Sequence, residues 1–193
     1  MKLLYGVGVT DCPASEQGKR LRSYTVWKDI LYRCYSEKRQ LKNPTYQGCT
    51  VCDEWLTFSN FKAFYDAYSI DGYHLDKDLL KPDSKVYSPQ TCVFLPHALN
   101  TFIRSKRPNC GPWPMGVCFN KKQKSFVASI CHQRELTHLG SFDSSDEAHQ
   151  AWLSAKLALA EQYRQQCDSI NPNLYAGLIK KIYSMSGLKA LGQ

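Results

Sequence analysis

The chain has 193 residues, 43% of them hydrophobic, and a formal net charge of +8 at pH 7. This length and apolar content suffice for one large or two small packed domains without disulfide support. The longest apolar runs are far shorter than the roughly 20 residues of a membrane span, and the N-terminus lacks a signal-type hydrophobic stretch, so we expect a cytoplasmic protein without a membrane partner.

The positive charge is concentrated in one segment. Residues 106–142 contain six basic residues and one acidic residue and therefore supply +5 of the net charge. Lys and Arg side chains that contact phosphates release counterions, so a local basic segment favours a polyanionic partner. Charge alone does not distinguish DNA from RNA, a ribosome or an acidic protein surface.

Two amphipathic helices are predicted in the first third of the chain, after a short strand and a polar loop in residues 1–22. The first helix has apolar residues at helical spacing, and Ser23 is available to cap it. These residues are Val26, Trp27, Ile30, Leu31 and Cys34. The second helix repeats the pattern with aromatic residues that we interpret as core. They are Phe58, Phe61, Tyr65 and Tyr68.

The cysteines predict reduced thiols. Their number, nine, is odd, and their spacing is irregular for a disulfide-linked secreted module. Cys49 and Cys52 form a C-x-x-C pair that Cys34 and Cys92 would have to complete as a zinc site, because the sequence has no second such pair. We therefore favour buried thiols over structural zinc.

Residues 73–100 predict two strands and the beginning of a helix. In GYHLDKDLL, Asp76, Lys77 and Asp78 end the first strand, the turn KPDSK joins the strands, and Asn100 lies about one turn into a helix starting near Pro96. The two-residue period places His74 and Asp78 on the strand face of Asp76. Helical spacing places His97 on the face of Asn100.

This arrangement resembles the HNH (ββα-metal) endonucleases, and more closely the HNH-like proteins of bacteriophages. Four stretches carry the resemblance in the family's order and spacing: VWKDILYRCY, PTYQGCTVCDEWLTFSNF, GYHLDKDLL and VYSPQTCVFLPHALN. The resemblance implies a homing-type DNA endonuclease or nickase acting in the host bacterial cytoplasm. It implies that Asp76 and Asn100 hold one Mg²⁺ or Mn²⁺ ion, whose chemistry suits oxygen ligands.

The chain departs from that family at Lys77. Active members have His directly after the metal-binding acid, whereas a lysine is normally protonated at neutral pH and cannot accept a proton. We therefore expect Lys77 to contact phosphate. Asp78, with His97 or His74 as alternatives, is expected to orient or deprotonate the attacking water.

A second domain is predicted beyond a linker at residues 105–114, which are rich in proline. Strand-like runs lie around 115–119, 125–131 and 136–140. Ser144 and Glu147 have the spacing of a capping box at the start of a long helix. The domains are thus 1–104, 115–166 and a tail, 167–193, with one more amphipathic helix. The predicted fold class is α+β: a ββα hairpin with supporting helices, then a three-stranded antiparallel sheet packed on one helix.

Residues 115–164 resemble the ethylene-response-factor (ERF) DNA-binding domain, which also occurs fused to phage HNH proteins. The stretches MGV, FVASI, THLGSF and SSDEAHQAWLSAKLALA carry this resemblance. It implies that one sheet face enters the major groove of duplex DNA. By position, the DNA contacts would be Cys118, Asn120, Lys121, Lys122, Lys124, Ser129, Cys131, Arg134 and His138.

Several of these positions carry Arg or Trp in the plant relatives, whereas Cys118, Ser129 and Cys131 cannot make the bidentate guanine contact that Arg makes. We therefore expect mostly backbone binding with a modest base preference. Two alternatives to the endonuclease remain: a non-catalytic DNA-binding protein that retains a degenerate HNH fold, and an RNA-associated or ribosome-associated protein.

Overall fold

The computed structural model describes residues 3–82, 84–104 and 112–187. Helices and small sheets alternate along the chain, which confirms the α+β class. The chain divides into two units between Pro96 and His97. The helix that follows the predicted hairpin therefore belongs to the second unit. The predicted linker, residues 105–114, lies mostly outside the described residues.

The first unit contains short paired strands and helices. Its elements are β1 (Ser15–Glu16), β2 (Lys19–Arg20), α1 (Arg22–Tyr35), α2 (Glu37–Lys42), β3 (Thr50–Val51), α3 (Phe58–Tyr68), β4 (Tyr73–Asp76), β5 (Val86–Tyr87) and β6 (Val93–Pro96). β1 pairs antiparallel with β2, and β4 pairs antiparallel with β6. β3 and β5 form a short parallel pair.

The core of the first unit lies where α1 packs on α3. Trp27 has no exposed surface, and its Nε1 donates a hydrogen bond of 2.6 Å to the carbonyl oxygen of Trp55. The ring of Phe58 lies 5.3 Å from the ring of Trp27, centroid to centroid. Ile30, Leu31 and the other α1 residues at this spacing are buried or half-buried, which confirms the predicted core face of α1.

Two expectations for these helices are wrong. Leu21 is the N-cap residue of α1, so Ser23 lies inside the first turn, where it is buried and caps nothing. Tyr68 is 64% exposed, because it is the last residue of α3 and stands beyond the core that covers Phe58 and Phe61.

The second unit consists of one sheet and four helices among its described residues. Its elements are α4 (His97–Phe102), β7 (Val117–Asn120), β8 (Ser125–His132), β9 (Glu135–Phe142), α5 (Ser145–Glu161), α6 (Arg164–Ile170) and α7 (Leu174–Ser186). The strands form an antiparallel sheet in the order β7, β8, β9. This order and α5 after it confirm the predicted three strands and helix.

α5 packs on one face of this sheet. Val117, Ala128 and Ala148 form the buried centre of the contact. At the start of α5, the Ser144 side chain accepts a hydrogen bond of 3.2 Å from the backbone N–H of Glu147, as the capping pattern predicts. The sheet therefore has one covered face and one open face.

α7 confirms the predicted helix in the tail. Leu174, Leu178 and Ile182 have no exposed surface. α5 contacts α7 through His149, whose Nδ1 lies 2.9 Å from the Met115 carbonyl oxygen and whose Nε2 lies 3.0 Å from that of Ser186. Throughout residues 3–82, 84–104 and 112–187, no helix has the length and apolar character needed to cross a membrane.

Candidate functional sites

The predicted order of strand, strand and helix is present at residues 73–102. β4 and β6 pair antiparallel over four residues, and α4 begins directly after β6. Asp76 is the last residue of β4, and Asn100 is the fourth residue of α4. The expectation that the turn KPDSK joins the two strands is wrong: β5 lies within the connection, where it pairs with β3.

The Asp76 carboxylate holds the turn that follows β4. Its Oδ1 accepts hydrogen bonds of 2.9 Å from the backbone N–H groups of Asp78 and Leu79. The chain therefore leaves the extended conformation after Asp76. The expected position of Asp78 on the same strand face as Asp76 is wrong, because Asp78 belongs to this turn.

Lys77 points into the interior of the first unit. Its side chain is 9% exposed, and its Nζ donates hydrogen bonds to the Asp78 carboxylate and, at 3.3 Å, to the carbonyl oxygen of Ser84. Nζ also lies 5.7 Å from the centre of the Tyr87 ring. This orientation does not offer the ammonium to a phosphate in solvent.

The surroundings of Lys77 favour its protonated form. Burial lowers the pKa of Lys77, but the hydrogen bond and charge of Asp78, with smaller effects from Cys49 and Asp76, outweigh burial and raise the pKa above its usual value. Lys77 is therefore a cation at neutral pH and cannot replace the missing histidine as a base.

The remaining predicted catalytic residues lie on the protein surface or close to it. His74 in β4 is exposed. His97 is exposed at the start of α4, with its Nε2 3.4 Å from Thr101 Oγ1, and Asn100 is half-buried. Asp76, Lys77 and Asp78 belong to the first unit, whereas His97 and Asn100 belong to the second.

The chemistry of Asp76 and Asn100 fits a hard cation, since both side chains offer oxygen atoms. In the part of the chain that the structure describes, however, no three His, Cys, Asp or Glu side chains gather as a metal site. Asp76 Oδ1 is also engaged by the turn. Asp76 thus has a structural role beside any role as a metal ligand.

The predicted burial of the cysteines is confirmed for Cys34, Cys49 and Cys92, whereas Cys52 is half-buried. Burial raises the thiol pKa of both Cys34 and Cys92 to about 12. Both thiols are therefore neutral at physiological pH.

The open face of the second unit's sheet brings together most of the predicted DNA contacts. Strand register places Cys118 beside Val127, Ser129 beside His138 and Cys131 beside Leu136, with Asn120 beside Ser125 at one end. A bulge between Ala128 and Ser129 shifts this register by one residue. Leu139 consequently packs on the covered face, and His138 is exposed.

The turn between β7 and β8 presents three exposed lysines, Lys121, Lys122 and Lys124. Asn120 shapes this turn: its Oδ1 accepts from the backbone N–H groups of Lys122 and Gln123 at 3.1 and 3.3 Å, and its Nδ2 donates to Gln123 Oε1. The Asn120 side chain thus positions the lysines.

The turn between β8 and β9 presents another cation at the opposite end of β8. Gln133 and Arg134 both have positive φ, 50° and 71°, which two-residue hairpin turns require and which Asn and Gly adopt more readily. Arg134 is exposed. Eight residues of extended chain separate the two turns, a distance of roughly 25 Å.

The sequence pattern did not single out Lys156. This lysine is 6% exposed and lies on the packed side of α5, four residues after Trp152 and eight after Ala148. A lysine is almost never buried without a partner. A lysine within the apolar stripe of a helix is therefore the sequence signal by which Lys156 could have been found.

Comparison with protein-family models, with curated proteins and with solved structures gives no match for this chain.

Proposed function

We propose that the protein binds duplex DNA through the open face of the sheet β7–β8–β9 and the two turns at its ends. The observation that carries this proposal is the arrangement of charge. The lysines of one turn and Arg134 of the other are exposed at opposite ends of β8. The face between them carries uncharged side chains such as Cys118, Ser129 and Cys131.

This arrangement suits a duplex because contact with the groove and contact with the phosphates require different side chains. The major groove is about 12 Å wide and admits a β-ribbon, while cations on either side reach the flanking phosphates. The small polar residues of the open face offer few base contacts. Binding is therefore expected to depend mainly on phosphate charge, with a modest sequence preference.

The salt dependence of binding tests the role of the lysine turn. Changing Lys121, Lys122 and Lys124 to Gln removes three phosphate contacts and is expected to weaken duplex binding on the order of a hundredfold at about 0.1 M salt. The slope of log affinity against log salt should fall by roughly three. Fluorescence anisotropy with a labelled duplex, repeated at several salt concentrations, measures both.

A matched variant separates position from net charge. Lys38, Lys42 and Lys180 are also exposed, and changing these three to Gln removes the same charge away from the turn. This control should bind nearly as the wild type. Equal losses in both triple variants, or a flat salt dependence of the wild type, would contradict the proposal. Stronger binding to RNA or single-stranded DNA would instead favour the RNA-associated alternative.

Metal-dependent cleavage of DNA is the second candidate function. The observation that favours it is the order of the elements at residues 73–102, where an acid ends β4 and α4 follows β6 directly. In this candidate, as the resemblance implies, Asp76 and Asn100 hold one Mg²⁺-class ion. The buried, protonated Lys77 leaves Asp78, His97 and His74 as the groups that act on water.

Cleavage is tested on supercoiled plasmid with Mg²⁺ or Mn²⁺. The informative variants are Asn100→Ala and Asp76→Asn, because an amide oxygen still accepts from the turn that Asp76 holds. If the protein is a nuclease, the wild type nicks the plasmid and both variants lose at least roughly a hundredfold in rate with unchanged DNA affinity. If the plasmid stays intact with both metals although the protein binds DNA, the cleavage function is excluded and only the binding function remains.

A further inference from the structure

The second unit contains a pocket of about 620 Å³ with no assigned role. Its volume is within the range of small-molecule sites, about 300–1,000 Å³. It is lined by α4, by the end of β8 with the turn that follows it, and by the packed side of α5, with Tyr163 and Met185 from the segments beyond α5. All of these residues belong to the same unit.

The charged groups of the pocket have one sign. Its lining includes Arg104, Arg134 and Lys156 together with His97 and His132, and no Asp or Glu is found among the described residues that line it. Lys156 is the innermost of them by burial, at 6% exposed. Its Nζ donates a hydrogen bond of 2.7 Å to the carbonyl oxygen of Phe102, one of the three that an ammonium can make.

The apolar part of the pocket is aromatic. The rings of Phe102, His132 and Tyr163 lie within 5.0 to 5.9 Å of one another, centroid to centroid. Lys156 Nζ lies 3.4 Å from the centre of the Phe102 ring. A ligand that enters this space therefore meets ring faces and edges together with a buried ammonium.

We propose that this pocket binds a small organic anion with an aromatic body, whose charged group is paired with Lys156 and whose ring packs against Phe102, His132 and Tyr163. The cations at the rim, Arg104 and Arg134, are exposed and favour the approach of an anion. This site shares Cys131 and Arg134 with the proposed DNA-binding face but does not include the lysine turn, and its test uses no DNA.

Two related dyes test both halves of the proposal with the purified full-length protein. Anilinonaphthalenesulfonate is an aromatic anion, and N-phenylnaphthylamine has a closely similar aromatic skeleton without the sulfonate. Titration followed by dye fluorescence should show one site for the anion and binding of the neutral dye at least roughly tenfold weaker. Equal affinity for both dyes, or no binding of the anion, would overturn the proposal.

Substitutions then locate the site. Lys156→Met keeps a long apolar side chain and should weaken binding of the sulfonate to the level of the neutral dye. Lys180→Met, on the exposed side of α7, is the control and should change nothing. Arg134→Gln lies in an exposed turn, leaves the core intact and should weaken sulfonate binding severalfold. Unchanged binding in both Lys156→Met and Arg134→Gln would overturn the assignment.

The pH dependence gives a further readout that a purely structural lysine would not produce. Burial lowers the Lys156 pKa to about 8. The sulfonate stays ionised, so its affinity should fall as pH rises through about 8, approaching tenfold per unit until the contribution of the ammonium is lost. Lys156→Met should be flat over this range. His132 does not titrate there, because burial and the charge of Lys156 lower its pKa.

Discussion

Replacing Gly116 with Ala is expected to destabilise the second unit by about 3 kcal/mol or more. Gly116 has φ +82°, a conformation that costs a non-glycine residue about 1–2 kcal/mol. A Cβ atom there would lie 2.0 Å from Cδ1 of Trp152, which is 4% exposed and stacked on His149. The clash falls on Cγ and Cδ1, at the base of the indole, so the ring cannot give way without disturbing its stacking on His149.

Gly187→Ala is the matched control for this prediction. Gly187 has a similar φ, +76°, but a Cβ there meets no atom within 4 Å. This variant should lose only the cost of backbone strain, so the difference between the two variants measures the contact with Trp152. Urea unfolding followed by circular dichroism provides the comparison. Equal losses in the two variants would show that the contact with Trp152 is unimportant.

Replacing Trp27 with Ala is expected to destabilise the first unit by about 3–5 kcal/mol. The substitution opens a cavity where a side chain has no exposed surface, against Phe58 and Tyr24. It also removes the indole N–H that donates to the carbonyl oxygen of the buried Trp55, and the loss of a buried hydrogen-bond partner is costly. Hydrogen exchange should show the largest loss of protection in peptides of α1 and α3.

Tyr68→Ala supplies the comparison for Trp27. Tyr68 continues the aromatic pattern of the sequence, but it is 64% exposed and contacts Phe64 at the end of α3. Its removal should change the free energy of unfolding by less than about 1 kcal/mol. A loss as large as that of Trp27→Ala would show that the aromatic pattern, and not burial, determines the stability of this core.

The helices and strands were predictable because their sequence signals are local. The spacing of Trp27, Ile30 and Leu31 predicts the buried face of α1, and the position of Ser144 predicts the start of α5. The runs around 125–131 and 136–140 likewise predict β8 and β9 to within two residues of their observed limits. Each of these signals lies within one turn or one strand of the element that it describes.

The burial of Lys77 and the register of β9 were not predictable in this way. Lys77 turns inward because Asp76 closes a turn directly after β4, and its partner Ser84 lies seven residues further along the chain. The bulge places His138 on the open face and the half-buried Leu139 on the covered face, where α5 packs. Such features arise from packing between elements, and the spacing of residues along the sequence does not reveal that packing.

The separation of the two faces of β8 has a consequence for how this protein can change over time. Ser129 and Cys131 face outward, while Ala128 and Ile130, one residue away, are buried. Residues on the outer face can therefore be exchanged with little effect on the packing of α5. In the proposed DNA-binding role, recognition and folding would thereby be nearly independent in this sheet, and single substitutions that the core tolerates would change the DNA preference.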